Sequence, residues 1–170
     1  MNGPYMAMTV MNTGPSGTYT IYRPAELAPG GAKNPIVGWM SGGGSTPSQY
    51  TLLPHLASHG FVVVAADHPG LNLSDFMKAS SCNQTPTGKQ DVEQDIDDEI
   101  AAFTSPSGDI AFLRGHVDMS RIALSGHSQG AWLTAPMSTK PNVRLIMPLA
   151  TTTGSRPSPT LASTFIVAAT

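Results

Sequence analysis

Short runs of apolar residues recur along the chain and predict strands. The strongest run, "FVVVAAD" at 61–67, is continuous and rich in β-branched residues, as parallel strands buried on both faces tend to be. The segment "GTYTIYRP" at 17–24 alternates aromatic and β-branched residues with others, which predicts an earlier strand. Four further apolar runs complete the set: "PIVGWM" at 35–40, "RIALSG" at 121–126, "VRLIMPLA" at 143–150 and "TFIVAAT" at 164–170.

Helical patterns lie between most of these strands. The segment "SQYTLLPHLASHG" at 48–60 predicts a helix with Ser48 as its N-cap and Gly60 just past its end, and Pro54 predicts a kink or a late start. Apolar residues on one stripe predict another helix at 91–103, a helix or helical turn continues at 107–116, and a third helix begins at 130. This alternation predicts an α/β fold, a mainly parallel sheet with flanking helices, in a single domain over 1–170.

Composition and charge narrow the function classes. Charged residues make up 12% of the chain and the net charge is −2, so there is no electrostatic case for nucleic acid or for an anionic membrane surface as partner. No apolar run approaches the roughly 20 residues of a membrane helix. The first residues lack the basic and apolar regions of a signal peptide, although scarce charge and abundant Ser and Thr favour an extracytoplasmic parent protein. Cys82 is the lone cysteine, which we read as an incidental thiol, and the acidic run at 91–99 lacks the spacing of a metal loop.

One short motif carries chemistry. The segment "GHSQG" at 126–130 follows the predicted strand "RIALS" and precedes the predicted helix "GAWLT". A sharp strand-to-helix turn of this kind holds a serine in a strained backbone conformation, with its Oγ exposed at the edge of the sheet. Gly126 and Gly130 leave room for that turn, and Ser128 is therefore the candidate nucleophile.

A second segment supplies candidate oxyanion donors. Acyl transfer needs two N–H groups aimed at the tetrahedral oxyanion. One is the backbone N–H of Gln129, the residue after the nucleophile, and the other comes from the loop after an earlier strand. The glycines at 42–44 follow the strand "PIVGWM", and we favour the N–H of Gly43 over that of Gly42. An ordinary flexible turn is the alternative reading of these glycines.

At this point the sequence resembles a known family. The segments "LPHLASHGFVVVAADHPG" and "VDMSRIALSGHSQG" resemble the α/β-hydrolase superfamily, and within it the dienelactone-hydrolase-like group with its chlorophyllase, platelet-activating-factor acetylhydrolase and cutinase or polyesterase relatives. The resemblance implies a serine hydrolase without cofactor or metal, acting on a small-molecule, lipid or polyester ester. It places the nucleophile at Ser128 and the oxyanion donors at Gln129 and Gly43.

The chain departs from that family in one respect. In the α/β-hydrolase order an Asp or Glu and then a His follow the serine. Only 42 residues follow Ser128, and none of them is His, Asp or Glu. We therefore expect a hydrolase fold that lacks its last strand and helix, in a fragment of a longer enzyme. The alternative is an inactive fragment or pseudo-enzyme that keeps the serine turn without its triad partners.

The internal histidines offer one further alternative. His68 follows a strand end on the same rim as Ser128, which makes a rearranged triad conceivable, but its "DHPG" context fits a turn residue better than a general base. His127 precedes the nucleophile and is expected to point elsewhere. His55 and His59 belong to the predicted early helix, and His116 precedes the strand of Ser128, at the opposite rim.

Overall fold

We describe a computed structural model of the chain. It describes residues 2–13, 19–29, 31–42, 45–66, 113, 115–134, 142–150 and 163–164. The predicted helix at 91–103, most of the helical turn at 107–116, and Cys82 lie outside these residues.

The described residues build a seven-stranded sheet. Its order is β1-β2-β4-β3-β5-β6-β7, so the chain crosses over twice in the middle of the sheet. The strands are β1 (Ala7–Thr13), β2 (Tyr19–Pro24), β3 (Asn34–Met40), β4 (Val62–Ala66), β5 (Val117–His127), β6 (Val143–Leu149) and β7 (Ser163–Thr164). Of the predicted strand at 164–170, all but Thr164 lies outside the described residues.

The sheet is mixed, with parallel pairing on one side and antiparallel pairing on the other. The pairs β3–β4, β3–β5, β5–β6 and β6–β7 are parallel. Strand β2 is antiparallel to both β1 and β4. The predicted α/β class is therefore confirmed, whereas the prediction of a mainly parallel sheet matches in part.

Strand β1 has no counterpart among the predicted strands. It lies at the edge of the sheet and pairs with β2 alone, so most of its side chains are partly or fully exposed and show no alternating apolar pattern. The pairing shifts register between Val10 and Thr13, where Asn12 has a φ of 56°. A periodicity argument cannot detect such a strand, because little of it is buried.

The central strands are buried on both faces of the sheet. In β4, Val62 and Val64 face one apolar cluster while Val63 and Ala65 face the other. All four side chains are buried, which confirms the prediction made from the unbroken apolar run. The first cluster also contains Tyr19, Ile21, Ile36, Met40, Leu113, Val117, Ile122, Leu124, Val143 and Ile146, and the second contains Tyr22, Val37, Trp39, Leu53 and Ala57.

The predicted early helix begins later than its sequence pattern suggests. A 3-10 turn spans Pro47–Gln49, and helix α1 spans Leu52–Ser58. Ser48 lies inside the 3-10 turn, so its prediction as N-cap is wrong; Thr46 caps that turn, and its N–H donates to the Gln49 side chain at 2.8 Å. Pro54 falls in the first turn of α1, where its missing N–H has no intrahelical role, in line with the predicted late start.

The end of α1 follows the prediction for Gly60. Gly60 has a φ of 94°, a conformation that side chains with a Cβ rarely adopt. Its N–H donates to Ala57 O at 3.0 Å, and the N–H of Phe61 donates to Leu56 O at 3.2 Å. This pair of bonds is a Schellman motif, which turns the chain directly into β4.

A second helix, α2, spans Gln129–Thr134 and contacts β5, β6 and β3. Within the residues that the structure describes, no helix is long and apolar enough to cross a membrane.

Candidate active site

Ser128 lies at the junction between a strand and a helix. Strand β5 ends at His127, helix α2 begins at Gln129, and Ser128 alone connects them. Its φ is 53°, in the left-handed region, where an L-residue is strained by roughly 1–2 kcal/mol. Such strain persists only where the surrounding structure holds it, and it concentrates at functional sites. The strained turn predicted from "GHSQG" is present, and we call residues 126–130 the elbow.

The two glycines of the elbow are required by close packing. A Cβ at Gly126 would lie 2.6 Å from the backbone carbon of Gly130 and 2.8 Å from the nitrogen of Ala131. A Cβ at Gly130 would overlap the backbone of Met40 and Ser41, at 2.6 Å from the Ser41 oxygen. Helix α2 thus starts directly against the ends of β3 and β5, and no larger residue fits at either position.

Neighbouring strands bring further backbone to the elbow. Gly126 pairs with Met40 at the end of β3, and His127 pairs with Leu149 at the end of β6. The N–H of Ser128 donates to Leu149 O at 2.9 Å, so that donor serves to hold the turn. The site therefore lies at the carboxyl edge of the parallel strands, where ligands of open α/β sheets bind.

Of the two predicted oxyanion donors, the structure describes the backbone of one. Gln129 is the first residue of α2, so its N–H has no acceptor within the helix. Gly43 lies outside the described residues. The flanking residues are described: the N–H of Ser45 donates to Gly42 O at 3.0 Å, and the N–H of Gly42 donates to the Tyr50 hydroxyl at 2.9 Å. The Gly42 donor is therefore occupied by the Tyr50 hydroxyl.

Tyr50 and His127 form a contact that the sequence did not suggest. The Tyr50 hydroxyl lies 3.2 Å from His127 Nδ1, and the two ring centroids are 5.5 Å apart. Tyr50 lies between the 3-10 turn and α1, 77 residues before His127. The contact depends on the pairing of β3 with β5, and no local signal marks it.

The described histidines are not placed as a base for Ser128. His127 is turned to Tyr50, as expected of the residue before the nucleophile. His116 precedes β5 and its carbonyl accepts the Asn34 N–H at the start of β3; the six residues from there to Met40, which pairs with Gly126, put it roughly 20 Å from the elbow. The rings of His55 and His59 meet edge-on, with centroids 4.7 Å apart, near the end of α1, which packs against β1, β2 and β4. His68 and the loop 68–90 lie outside the described residues.

Two polar atoms near the end of β3 are buried without a hydrogen-bond partner in the described part of the chain. They are Ser41 Oγ and Trp39 Nε1.

Among the residues that the structure describes, no three His, Cys, Asp or Glu side chains come together as they would around a metal ion.

No protein-family model matches the chain, and no curated protein matches it. The assignment of function therefore depends on the geometry of the elbow and on the residues around it.

Proposed function

We propose that this chain is a serine hydrolase that cleaves carboxylic esters through an acyl-enzyme on Ser128. One observation carries the proposal: Ser128 has left-handed backbone at the single residue between β5 and α2, with glycines packed tightly on both sides. That is the geometry that exposes a nucleophilic serine in α/β-hydrolases.

The loop after β3 supports the same proposal. In α/β-hydrolases the second oxyanion donor comes from the loop between the third strand and the following helix. Here the glycines at 42–44 follow β3 and precede α1, and β3 is a direct neighbour of β5 in the sheet. We therefore also propose that the chain adopts the α/β-hydrolase fold, with the N–H groups of Gln129 and Gly43 as the oxyanion hole.

The reaction follows from these roles. Ser128 Oγ attacks the ester carbonyl while a general base takes its proton, and the oxyanion accepts hydrogen bonds from the two backbone donors. Collapse of the tetrahedral species expels the alcohol, which recovers the proton, and water then releases the acid from Ser128. The base in this proposal is either His68 or a histidine supplied from outside these 170 residues.

A non-catalytic role is the second candidate. It is favoured by the histidines that the structure describes, since none of them is placed to take the Ser128 proton. An elbow with an oxyanion hole but no base still binds carbonyl compounds and retains weak catalysis.

Labelling with a fluorophosphonate probe tests the proposal. The probe reacts with an activated serine rather than a merely exposed one, and mass mapping identifies the modified residue. We expect rapid labelling of Ser128 in the wild-type chain and none in Ser128→Ala, together with hydrolysis of short p-nitrophenyl esters. Loss of labelling in His68→Ala would identify His68 as the base, whereas a base from outside these 170 residues predicts that the wild-type chain itself stays unlabelled. A chain that is folded by circular dichroism and remains unlabelled would therefore mean that these residues do not act as a hydrolase by themselves.

A further inference from the structure

The Tyr50 hydroxyl connects the glycine loop to the elbow. It accepts the N–H of Gly42 at 2.9 Å on one side and lies 3.2 Å from His127 Nδ1 on the other. Gly42 is the last described residue before Gly43, and His127 is the residue before Ser128. The Tyr50 oxygen therefore links the glycine loop, which would bind the oxyanion, to the elbow, which carries the nucleophile.

The donors and acceptors in this link are consistent. The Gly42 N–H can only donate, so the Tyr50 oxygen accepts there with one lone pair. Its own proton is then available to His127 Nδ1, which accepts when the neutral imidazole carries its proton on Nε2. This arrangement predicts the Nε2–H tautomer of His127, and the prediction can be measured without any catalytic assay.

The Tyr50 side chain is held in place by its neighbours. Its ring packs edge-on against Trp39 with centroids 4.9 Å apart and planes at 63°, and Trp39 is 1% exposed. The Tyr50 N–H closes the 3-10 turn on Pro47 O at 3.1 Å. Because backbone and ring are both fixed, the hydroxyl is a rigid reference point rather than a mobile contact.

The space around Gly42 is as restricted as the link itself. A Cβ at Gly42 would lie 3.0 Å from His127 Nδ1 and 3.2 Å from the Tyr50 hydroxyl, tighter than ordinary side-chain contacts. The backbone of Gly42 therefore sits directly on the pair.

We infer that Tyr50 and His127 are a positioning pair that fixes the start of the glycine loop relative to Ser128 and thereby the place of the loop's oxyanion donor. The inference rests on the proposed function for its catalytic consequence, but its geometric part stands separately. Neither residue contacts the reacting atoms in this inference; both act through Gly42.

Nuclear magnetic resonance of the 170-residue chain tests the geometric part. We expect the ring nitrogens of His127 to show the Nε2–H tautomer, and the Gly42 amide to be protected from solvent exchange. Tyr50→Phe removes only the hydroxyl, and we expect exchange of the Gly42 amide to become at least about tenfold faster. Tyr5→Phe is the matched control, because Tyr5 is 52% exposed and makes no contact with the elbow. An Nδ1–H tautomer, or a Gly42 amide unaffected by Tyr50→Phe, would overturn the inference.

Kinetics test the catalytic part. For ester hydrolysis, or for phosphonate labelling of Ser128, we expect Tyr50→Phe to lower kcat or the labelling rate about three- to tenfold, as loss of one neutral hydrogen bond predicts, while KM stays within about twofold. His127→Leu should give the same loss, the double variant no further loss, and His127→Asn, which keeps an acceptor near the Nδ1 position, should recover most of the rate. Equal losses in Tyr5→Phe, additive losses, or a change confined to KM would contradict a positioning role. If the wild-type chain shows no Ser128 reactivity, the proposed function fails, and the exchange and tautomer measurements alone decide the geometric part.

Discussion

Replacing Gly130 by alanine separates the close packing of the elbow from ordinary helix preference. Gly130 is the second residue of α2, and alanine is favoured over glycine inside a helix by about 1 kcal/mol. Helix propensity alone therefore predicts that Gly130→Ala raises the free energy of unfolding. The packing around the elbow predicts the opposite sign.

The size of the effect follows from the contacts of the added methyl group. Its carbon would lie 2.6 Å from the Ser41 oxygen and 2.6 Å from the Met40 carbonyl carbon, whereas non-bonded heavy atoms rest at about 3.5–4.0 Å. Both neighbours are backbone, at the end of a strand paired on both sides with β4 and β5, so the start of α2 and the end of β3 must separate by about 1 Å. Overpacking of this kind costs about 1–3 kcal/mol, and rigid backbone favours the upper end. After the helix gain, we expect a net loss of about 2 kcal/mol, or about 30-fold in the ratio of folded to unfolded chain.

Urea unfolding followed by tryptophan fluorescence measures this loss, because Trp39 is buried in the second apolar cluster. Gly115→Ala is the control: Gly115 has a φ of 87° but open space around it, so alanine there meets backbone strain of about 1 kcal/mol without overlap. We also expect Gly130→Ala to slow phosphonate labelling of Ser128, since the elbow must move. A Gly130→Ala chain as stable as the wild type would refute the close packing of α2 against β3.

Three further predictions address other features of the fold. Ser128→Gly should abolish labelling yet be more stable than Ser128→Ala by about 1 kcal/mol in urea unfolding, because glycine adopts a φ of 53° without strain; equal stability would argue against the strained turn. Asn34 is buried, accepts the Ala28 N–H at 2.9 Å and donates to Gly60 O at 2.8 Å. Asn34→Asp should lower the free energy of unfolding by about 2–3 kcal/mol, because it removes the donor and places a carboxylate against a carbonyl. A loss under about 0.5 kcal/mol would count against these bonds. Hydrogen bonds from Ser120, and then from Arg121, lower the pKa of Asp118 to about 2 from its ordinary 3.8. The contribution of Asp118 to the free energy of unfolding is therefore full above about pH 4 and is lost as the pH falls toward 2. Asp118→Asn should flatten the pH dependence of the unfolding midpoint in that window, and an unchanged slope would show that other groups set it.

The sequence alone determined the elements that depend on local pattern. Unbroken apolar runs identified β3 and β4, because strands buried on both faces leave few polar positions in the pattern. A largely apolar run also identified β6, although the exposed Arg144 interrupts it. The glycine spacing of "GHSQG" after a predicted strand predicted the strained turn at Ser128, because glycines on either side of a serine allow the sharp turn from a strand into a helix. Gly60 likewise marked the end of α1 by its own backbone freedom.

The tertiary structure decided what depends on residues far apart in the chain. Edge strand β1 escapes a periodicity argument because little of it is buried, and the antiparallel direction of β2 follows from pairings with β1 and β4 rather than from its composition. Tyr50 became a candidate positioning residue only once β3 was placed beside β5, which brings it to His127 across 77 residues. Propensity and periodicity act over a few residues, whereas strand order and the contacts at the sheet edge are set by which strands pair, and no local pattern records that choice.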